Sequence, residues 1–551
     1  MDAKESTKKI IIIGGGVAGL SAGIFGQMNG FETVIHEKNP WVGGACSAWK
    51  RNGFTIDNCL HWLTGTNEKS TTRKLWEDLG VLGKDVPLIK RDEFLSSRSG
   101  NQTATLWRDL EKTRNELLAL SPDDKSEING FVDCVIFINK ALNSNVSPKD
   151  LLTAIKNHDF SEKPLELAVH FIQYLNLNLE QLSKRFKCPA IASLFIDFMD
   201  KNYESYWLML AYGFFVNENG DLPEGGSLGM IRNMKEKYLS LGGKIVLGSP
   251  VKKILIDKKS RIEKIIQMDT IDEKVQNLKD LHRDFIDGVH YKKIISKHAD
   301  GVLFENGSTD SADYIIAASD VNFTYQTLLQ NKCTPMPLKK ILKKHGKGRP
   351  VIYSSFQVAF SVDGLFDCVK DTLGIDCATI KIGTRLCSRF TIKNYRIYGD
   401  YIAPENQTVI QVSIPQYVKD YKYWKKLNPH DYKKAKNDCA EIIKREIEKT
   451  FPEYRFKISV LDVWTPWSYR KINNAYLGAY MRYITTPFNF NAFMSIDVRS
   501  LDNVFLANHC LRYPGGVPTA AQTGKDAIEE IKKHETLNPP LEFLQKKIRR
   551  M

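Results

Sequence analysis

Residues 8–38 read KKIIIIGGGVAGLSAGIFGQMNGFETVIHEK, and the fold turns on how this stretch is parsed. Ile10–Ile13 is a β-branched run suited to a strand buried on both faces. The chain turns at Gly14-Gly15-Gly16 into a segment rich in Ala, Leu and Ser, which predicts a helix, and a second short strand, Thr33–His36, ends at Glu37. Strand, glycine turn, helix and strand within about thirty residues is the context that gives a G-x-G-x-x-G match its meaning. Gly14 permits the tight turn, Gly16 lets backbone approach a pyrophosphate without a Cβ between, and Gly19 lets the helix pack closely on the strand. The helix N-terminus, beginning at Val17 and Ala18, offers free N–H groups and the positive end of its dipole to phosphates. Glu37 is placed to accept hydrogen bonds from both ribose hydroxyls of an adenosine, and it would repel a 2′-phosphate. A dinucleotide other than NADP is therefore expected.

The continuation, KNPWVGGACSAWKRNGFTIDNCLHW (38–62), brings a second glycine pair, Gly43-Gly44, to a loop where backbone can approach a longer dinucleotide again. An acid closing the second strand, then Gly-Gly, then G-F-x-x-D at residues 53–57 resembles the flavin amine oxidase and phytoene desaturase superfamily. Within it the stretch is most similar to the carotenoid isomerase and retinol saturase branch, which has a Cys-containing segment after the Gly pair and a His-aromatic pair where His61-Trp62 stand here. The resemblance implies FAD as cofactor, contacted by Lys38, Gly43, Gly44, Ala45 and Trp62; Ala45 replaces an Arg found in many relatives.

Two distant segments extend the resemblance. In 222–256, Pro223 and Gly225-Gly226 precede an amphipathic pattern (Leu228, Ile231, Met234, Tyr238), Gly242-Gly243 stops it, and strands are expected at Lys244–Leu247 and Val251–Ile256. Val251 matches the family position whose backbone contacts the adenine end of FAD. Residues 300–320 read as a hairpin feeding a buried strand, Tyr314–Ala317. Near the C-terminus, strand Val504–Ala507, the turn Pro514-Gly515-Gly516 and a helix over Val517–Ile531 resemble the family's closing motif beside the flavin. There Gly516 and Val517 are expected at the cofactor, and Asn508 stands where relatives usually have Gly.

The fold class implied is α/β: a discontinuous Rossmann-like FAD-binding domain (8–68, 220–330, 490–535) with an α+β substrate domain (69–219, 331–489) and a basic tail, 536–551. The first substrate piece reads as helical and apolar, including LLTAIKNHDF and the segment 192–216; the second carries strands in 351–362 and 406–414. Residues 270–299 read as a charged insertion in the hairpin. Clustered aromatics, Trp207 and Tyr212 among them, fit an apolar tunnel for a small apolar substrate, although any one of them is equally at home in a plain core.

Composition sets the outer limits. Of 551 residues, 42% are hydrophobic and 26% charged, as in a globular protein rather than a disordered or membrane-embedded one. The surplus of +14 (78 Lys and Arg against 64 Asp and Glu) is spread along the chain, with denser runs at 339–349 and 546–550. These read as solvated faces, or as peripheral contacts with an anionic membrane, and not as a nucleic-acid site. None of the ten cysteines falls in a C-x-x-C pair, so no zinc site or other metal is expected, and nothing calls for an oxidising compartment. No apolar run reaches the ~20 residues that span a bilayer. A cytoplasmic protein, able to touch a membrane, is expected; the oligomeric state is left open.

The chemistry implied by the resemblance is hydride exchange between the flavin and a carbon of a polyene, isoprenoid or fatty-acyl substrate: desaturation, saturation or double-bond isomerisation. His61 and His509 are candidates for proton handling, with hydrogen-bonded packing as the alternative for each. Arg512 and Tyr513 are candidates for holding a polar substrate end. Cys46 and Cys59 are expected as small buried apolar groups rather than nucleophiles. Two other readings stay open. One is an amine oxidase with Trp464, Trp467 and Tyr469 as an aromatic cage; the other is a lipid-binding escort protein of the same fold, against which the complete glycine turn argues.

Overall fold

In the computed structural model, which describes residues 7–142, 173–174, 177–268, 283–286, 289–336, 338–339, 351–479, 481, 494–512 and 515–537, Lys9–Ile13 is the central strand of a five-stranded parallel sheet. Glu32–His36 lies on one side with Lys244–Val246 beyond it; Tyr314–Ala317 lies on the other with Val504–Leu506 beyond it. Strand order runs outward from the first strand in both directions, the doubly wound arrangement whose crevice opens at the carboxyl ends of the strands. Ile10, Ile11 and Ile12 are wholly buried, as a strand covered by helices on both faces must be.

The covering helices approach closely because small residues face them. Against the first helix, Val17–Met28, the C-terminal helix Gly516–Leu537 comes so near that a Cβ on Gly524 would stand 2.4 Å from the Ala18 carbonyl oxygen. Ser21 Oγ donates to the Ala521 carbonyl across the same contact, at 2.6 Å. The helix Gly226–Ser240 lays the Tyr238 ring into the space above Gly23 and Gly243, and its hydroxyl donates to the Thr33 and Lys244 carbonyls. That helix buries Met230, Ile231, Met234 and Tyr238. Leu228, expected on the same face, is 42% exposed. At about 100° per residue it lies roughly a quarter turn from the centre of the buried stripe.

A seven-stranded sheet forms the other half, ordered Ile458–Trp464, Tyr353–Asp363, Gln407–Tyr417, Arg385–Asn394, Thr372–Ile382, Glu93–Ser99, Gln102–Trp107. All neighbours are antiparallel except Thr372–Ile382 beside Glu93–Ser99. The hairpin 93–107 was not anticipated from the helical reading of 69–219, although Ser99-Gly100-Asn101 between two β-prone runs is a turn signal. Helices Leu110–Leu120, Lys125–Leu142, Pro189–Phe198 and Tyr206–Val216 pack with that hairpin into one core, and the helix Pro429–Thr450 packs into a second core with the remaining strands.

The hairpin after Val251 is longer than expected: Val251–Met268 pairs with Val289–Phe304, and Arg283–Ile286 adds to the end of that ribbon, so part of the charged insertion is strand. The segment LLTAIKNHDF, the basic run beyond Lys339 and the tail 546–550 lie outside the described residues. Among the described residues no helix is long and apolar enough to cross a membrane.

Candidate active site

Where the five strands end, the backbone forms a cradle. Gly14, at φ +109°, turns the chain, and its N–H donates to the His36 carbonyl at 2.9 Å. A Cβ on Gly19 would stand 1.9 Å from the Gly14 carbonyl oxygen, so glycine there is a demand of the helix–strand contact itself. The second glycine pair closes on the first: Gly43 N–H donates to the Gly15 carbonyl at 2.8 Å, and Gly44 sits over Gly16. Gly16 differs from its neighbours. Its φ is an ordinary −75°, and a Cβ added to it would meet no protein atom closer than 3.8 Å. Nothing in the protein requires glycine at 16, yet Gly16 borders the cavity, so the space in front of it suits a ligand's phosphates.

Glu37 is buried at the rim of this cradle. One carboxylate oxygen accepts from Gly15 N–H and the other from Asn39 N–H and the Asn39 side chain, all at 2.8 Å. The oxygens are thereby fixed in direction, and the one that accepts from Gly15 N–H keeps a lone pair for a ribose hydroxyl. Lys38 also lines the cavity, but its ammonium donates to the Lys471 carbonyl at 2.8 Å and to Asn474, tying the cradle to the helix Pro466–Asn473. Burial pushes that ammonium down from its usual range. Val251 lines the cavity beside Ser249 and Pro250. From the other side come Asn508, Gly516 and Val517, the last two starting the C-terminal helix. Asn508 holds scaffold rather than ligand: its amide nitrogen donates to the Ser319 carbonyl at 2.9 Å and its oxygen accepts from Cys510 N–H at 2.8 Å.

The cradle opens into one continuous cavity of about 1870 Å³, which also reaches the seven-stranded sheet and the helices. That exceeds the ~300–1,000 Å³ of a site for one drug-sized ligand. Gly14, Gly16, Val17, Ala18, Glu37, Lys38, Gly43, Gly44, Ala45, His61, Trp62, Trp207, Val251, Asn508, His509, Arg512, Gly516 and Val517 all border it. Gly19 acts behind it, in packing. Trp62, expected at the cofactor, has its ring stacked on Phe198 (6.2 Å between centroids) and tilted against Phe94 (6.0 Å), in the aromatic wall of the helical half.

One reading of an individual residue is corrected. Tyr212 does not line the cavity: its ring lies between Phe94 and Phe131 in the core, and its hydroxyl bonds Thr113 and the Trp107 carbonyl. On the helix Tyr206–Val216 the cavity face is Trp207, Leu210, Ala211 and Phe214, and Tyr212 points the other way. Arg512 borders the cavity, ion-paired to Asp526 at 2.6 Å, and Tyr513 lies outside the described residues. His61 is half-buried, and burial, reinforced by the charges of Lys393 and Arg91, pushes its imidazole down to about 3, so it is neutral near pH 7. His509 borders the cavity with Nε2 3.4 Å from Cys510 Sγ.

Several cavity residues carried no signal in the sequence. Gln357 donates to the Tyr469 hydroxyl at 2.9 Å, and Trp464 Nε1 donates to the same oxygen at 2.9 Å. Of the three residues of the conceivable cage only Tyr469 borders the cavity; Trp464 packs edge-on to Trp49, and Trp467 against Tyr421. Cys46 and Cys59 border the cavity, the Cys59 thiol pushed up by its contact with Cys46 and by burial. Arg91 and Lys393 flank Asp371, with ion pairs of 2.8 and 2.5 Å, at the edge of the cavity beside Tyr395.

Comparison with known proteins follows this geometry. A model described as an NAD(P)-binding Rossmann-like domain matches residues 12–79. Over 560 residues, 96% of this chain and 97% of the relative, the sequence is 23% identical to 4,4'-diaponeurosporene oxygenase of Staphylococcus haemolyticus (strain JCSC1435). It is 24% identical over 497 residues to the chloroplastic prolycopene isomerase of Arabidopsis thaliana, covering 87% of this chain and 75% of that one. These likenesses agree with the resemblance to the phytoene desaturase-like branch of the flavin amine oxidase superfamily. The chain's fold is that of a putrescine oxidase variant redesigned in cofactor binding, with a TM-score of 0.56 at 12% identity over 96% of this chain and 99% of that one. An oxidoreductase from Methanosarcina mazei gives 0.53 at 15% identity over 95% and 100%. The residues of the cradle fit a flavin dinucleotide: a ligand-facing glycine, an oriented acid and a helix N-terminus converge on it.

Proposed function

We propose that this chain is an FAD-dependent oxidoreductase acting on the carbon skeleton of a polyene, isoprenoid or fatty-acyl substrate. The observation that carries the reading is the single cavity that begins at a dinucleotide cradle and ends in an aromatic wall. Bound FAD supplies a hydride acceptor and donor, from which desaturation, saturation or isomerisation of a double bond all follow. Glu37, the N–H groups at the start of the first helix and the N-terminus of Gly516–Leu537 would hold it.

The chain's own side chains then set what reacts. Trp62, Phe94, Phe198, Trp207 and Phe214 form an apolar surface that keeps water from a hydrocarbon. Neutral His61 and the Tyr469–Gln357 pair orient without titrating near neutrality; burial holds the Tyr469 hydroxyl above its usual range. Peripheral contact with a membrane that carries such lipids belongs to the same proposal.

The purified protein is expected to be yellow and to release FAD on denaturation. Anaerobic incubation with candidate polyenes and acyl lipids should bleach the flavin absorbance or yield an isomerised product. No change with any of them would overturn the proposal, and hydrogen peroxide released on adding amines would favour an amine oxidase instead.

A further inference from the structure

The cavity is not apolar throughout, and its polar groups are unevenly balanced. Where Arg389 borders it, one guanidinium faces two carboxylates, Asp197 at 2.6 Å and Asp376 at 2.6 Å. Arg512 faces Asp526 alone and is 43% exposed. Arg91 and Lys393 share a single acid, Asp371, and the three side chains are only 6%, 8% and 5% exposed. Asp57, whose charge also acts on Lys393, makes its hydrogen bonds elsewhere: it accepts from Ser227 N–H and Oγ and from the N–H groups of Cys59 and Leu60. The two cations thus share one direct ion-pair partner, Asp371, in the buried wall. Among the described residues Arg91 Nε is buried with no hydrogen-bond partner, and the one acceptor for the Lys393 ammonium, which has three donors, is Asp371.

Resting on the function proposed above, we infer that Arg91 and Lys393 dock the anionic end of an amphiphilic substrate, a carboxylate, whose apolar chain then lies along the wall of Trp62, Phe94 and Phe198. Arg91 lies two residues before the hairpin strand Glu93–Ser99, and Lys393 lies on the strand Arg385–Asn394.

The test uses the flavin-loaded chain and two probes of equal length, all-trans-retinoic acid and its methyl ester, with binding read from quenching of tryptophan fluorescence. The acid should bind at least about tenfold more tightly than the ester, the scale of a charge-assisted hydrogen bond. Lys393→Met should equalise the two, and Lys393→Arg should keep the preference. Asp371→Asn frees both cations and should strengthen binding of the acid alone, a gain that structural damage would not produce; should Lys393→Met fail to fold, this variant decides. Equal affinity in the wild type, or an undiminished preference in Lys393→Met, would overturn the anchor while leaving the apolar cavity intact. Binding of neither probe would overturn the reading of the cavity itself, and the anchor with it.

Discussion

The two ends of the cavity are built in different ways. At the cradle, four glycines, one acid and a helix N-terminus lie within residues 14–44 and act largely through backbone. At the far wall, Asp371 and Lys393 meet Arg91 from 280 residues or more along the chain, and all three act through side-chain ends. A backbone device is written in local spacing; a side-chain device exists only after the sheet has brought its strands together.

The contrast is broken most severely at the glycines. Gly19→Ala forces a Cβ to 1.9 Å from the Gly14 carbonyl, a backbone atom that cannot swing aside. It should cost roughly 3 kcal/mol or more of apoprotein stability, at the upper end for overpacked sites, read as a lowered Tm. Gly16→Ala has room and an ordinary φ, and in the same cofactor-free assay it should change stability by no more than about 0.5 kcal/mol. Equal losses in the two variants would show that both glycines serve packing alone.

The far wall is sharpened by pH. His61 is pushed from 6.5 to about 3 on folding, so the unfolded chain binds the extra proton between these values. The stabilising effect of keeping His61 neutral is fully present above pH 6.5 and is lost as pH falls toward 3. Stability should therefore drop by at most about 1.4 kcal/mol per pH unit in that window, from this group. His61→Gln should flatten this acid limb in urea titrations; an unchanged limb would mean that His61 titrates normally.

The smallest effects separate the two faces of one helix. Tyr212→Phe removes hydrogen bonds to Thr113 and Trp107 and should lower stability by about 1–2 kcal/mol without altering ligand affinity. Trp207→Ala, on the cavity face, should weaken binding of a polyene probe. Reversed results would place Tyr212 at the substrate after all.

How far the sequence carried each region follows from the same physics. The strand–turn–helix unit, the second glycine pair, the late strand 504–506 and the C-terminal helix were readable because each is a local pattern of small and β-branched residues. Leu228 and Tyr212 were misplaced because an apolar or aromatic residue at a plausible spacing does not say which face its helix buries. Lys393 was invisible for a deeper reason. The strand Arg385–Asn394 alternates Arg, Cys, Arg, Thr and Lys on one side, which looks like a solvent-facing row, and the side it faces is an internal cavity.

The central claim is that the glycine turn, the mid-chain strand and the late helix hold one flavin dinucleotide at the head of the cavity. The most direct measurement is a titration of cofactor-free protein with FAD, following flavin fluorescence, in the wild type and in Gly16→Ala. The account predicts one FAD bound per wild-type chain and at least about tenfold weaker binding when a Cβ enters the ligand's space at residue 16. Failure of the folded wild type to bind FAD, or equal affinity in the two proteins, would contradict it.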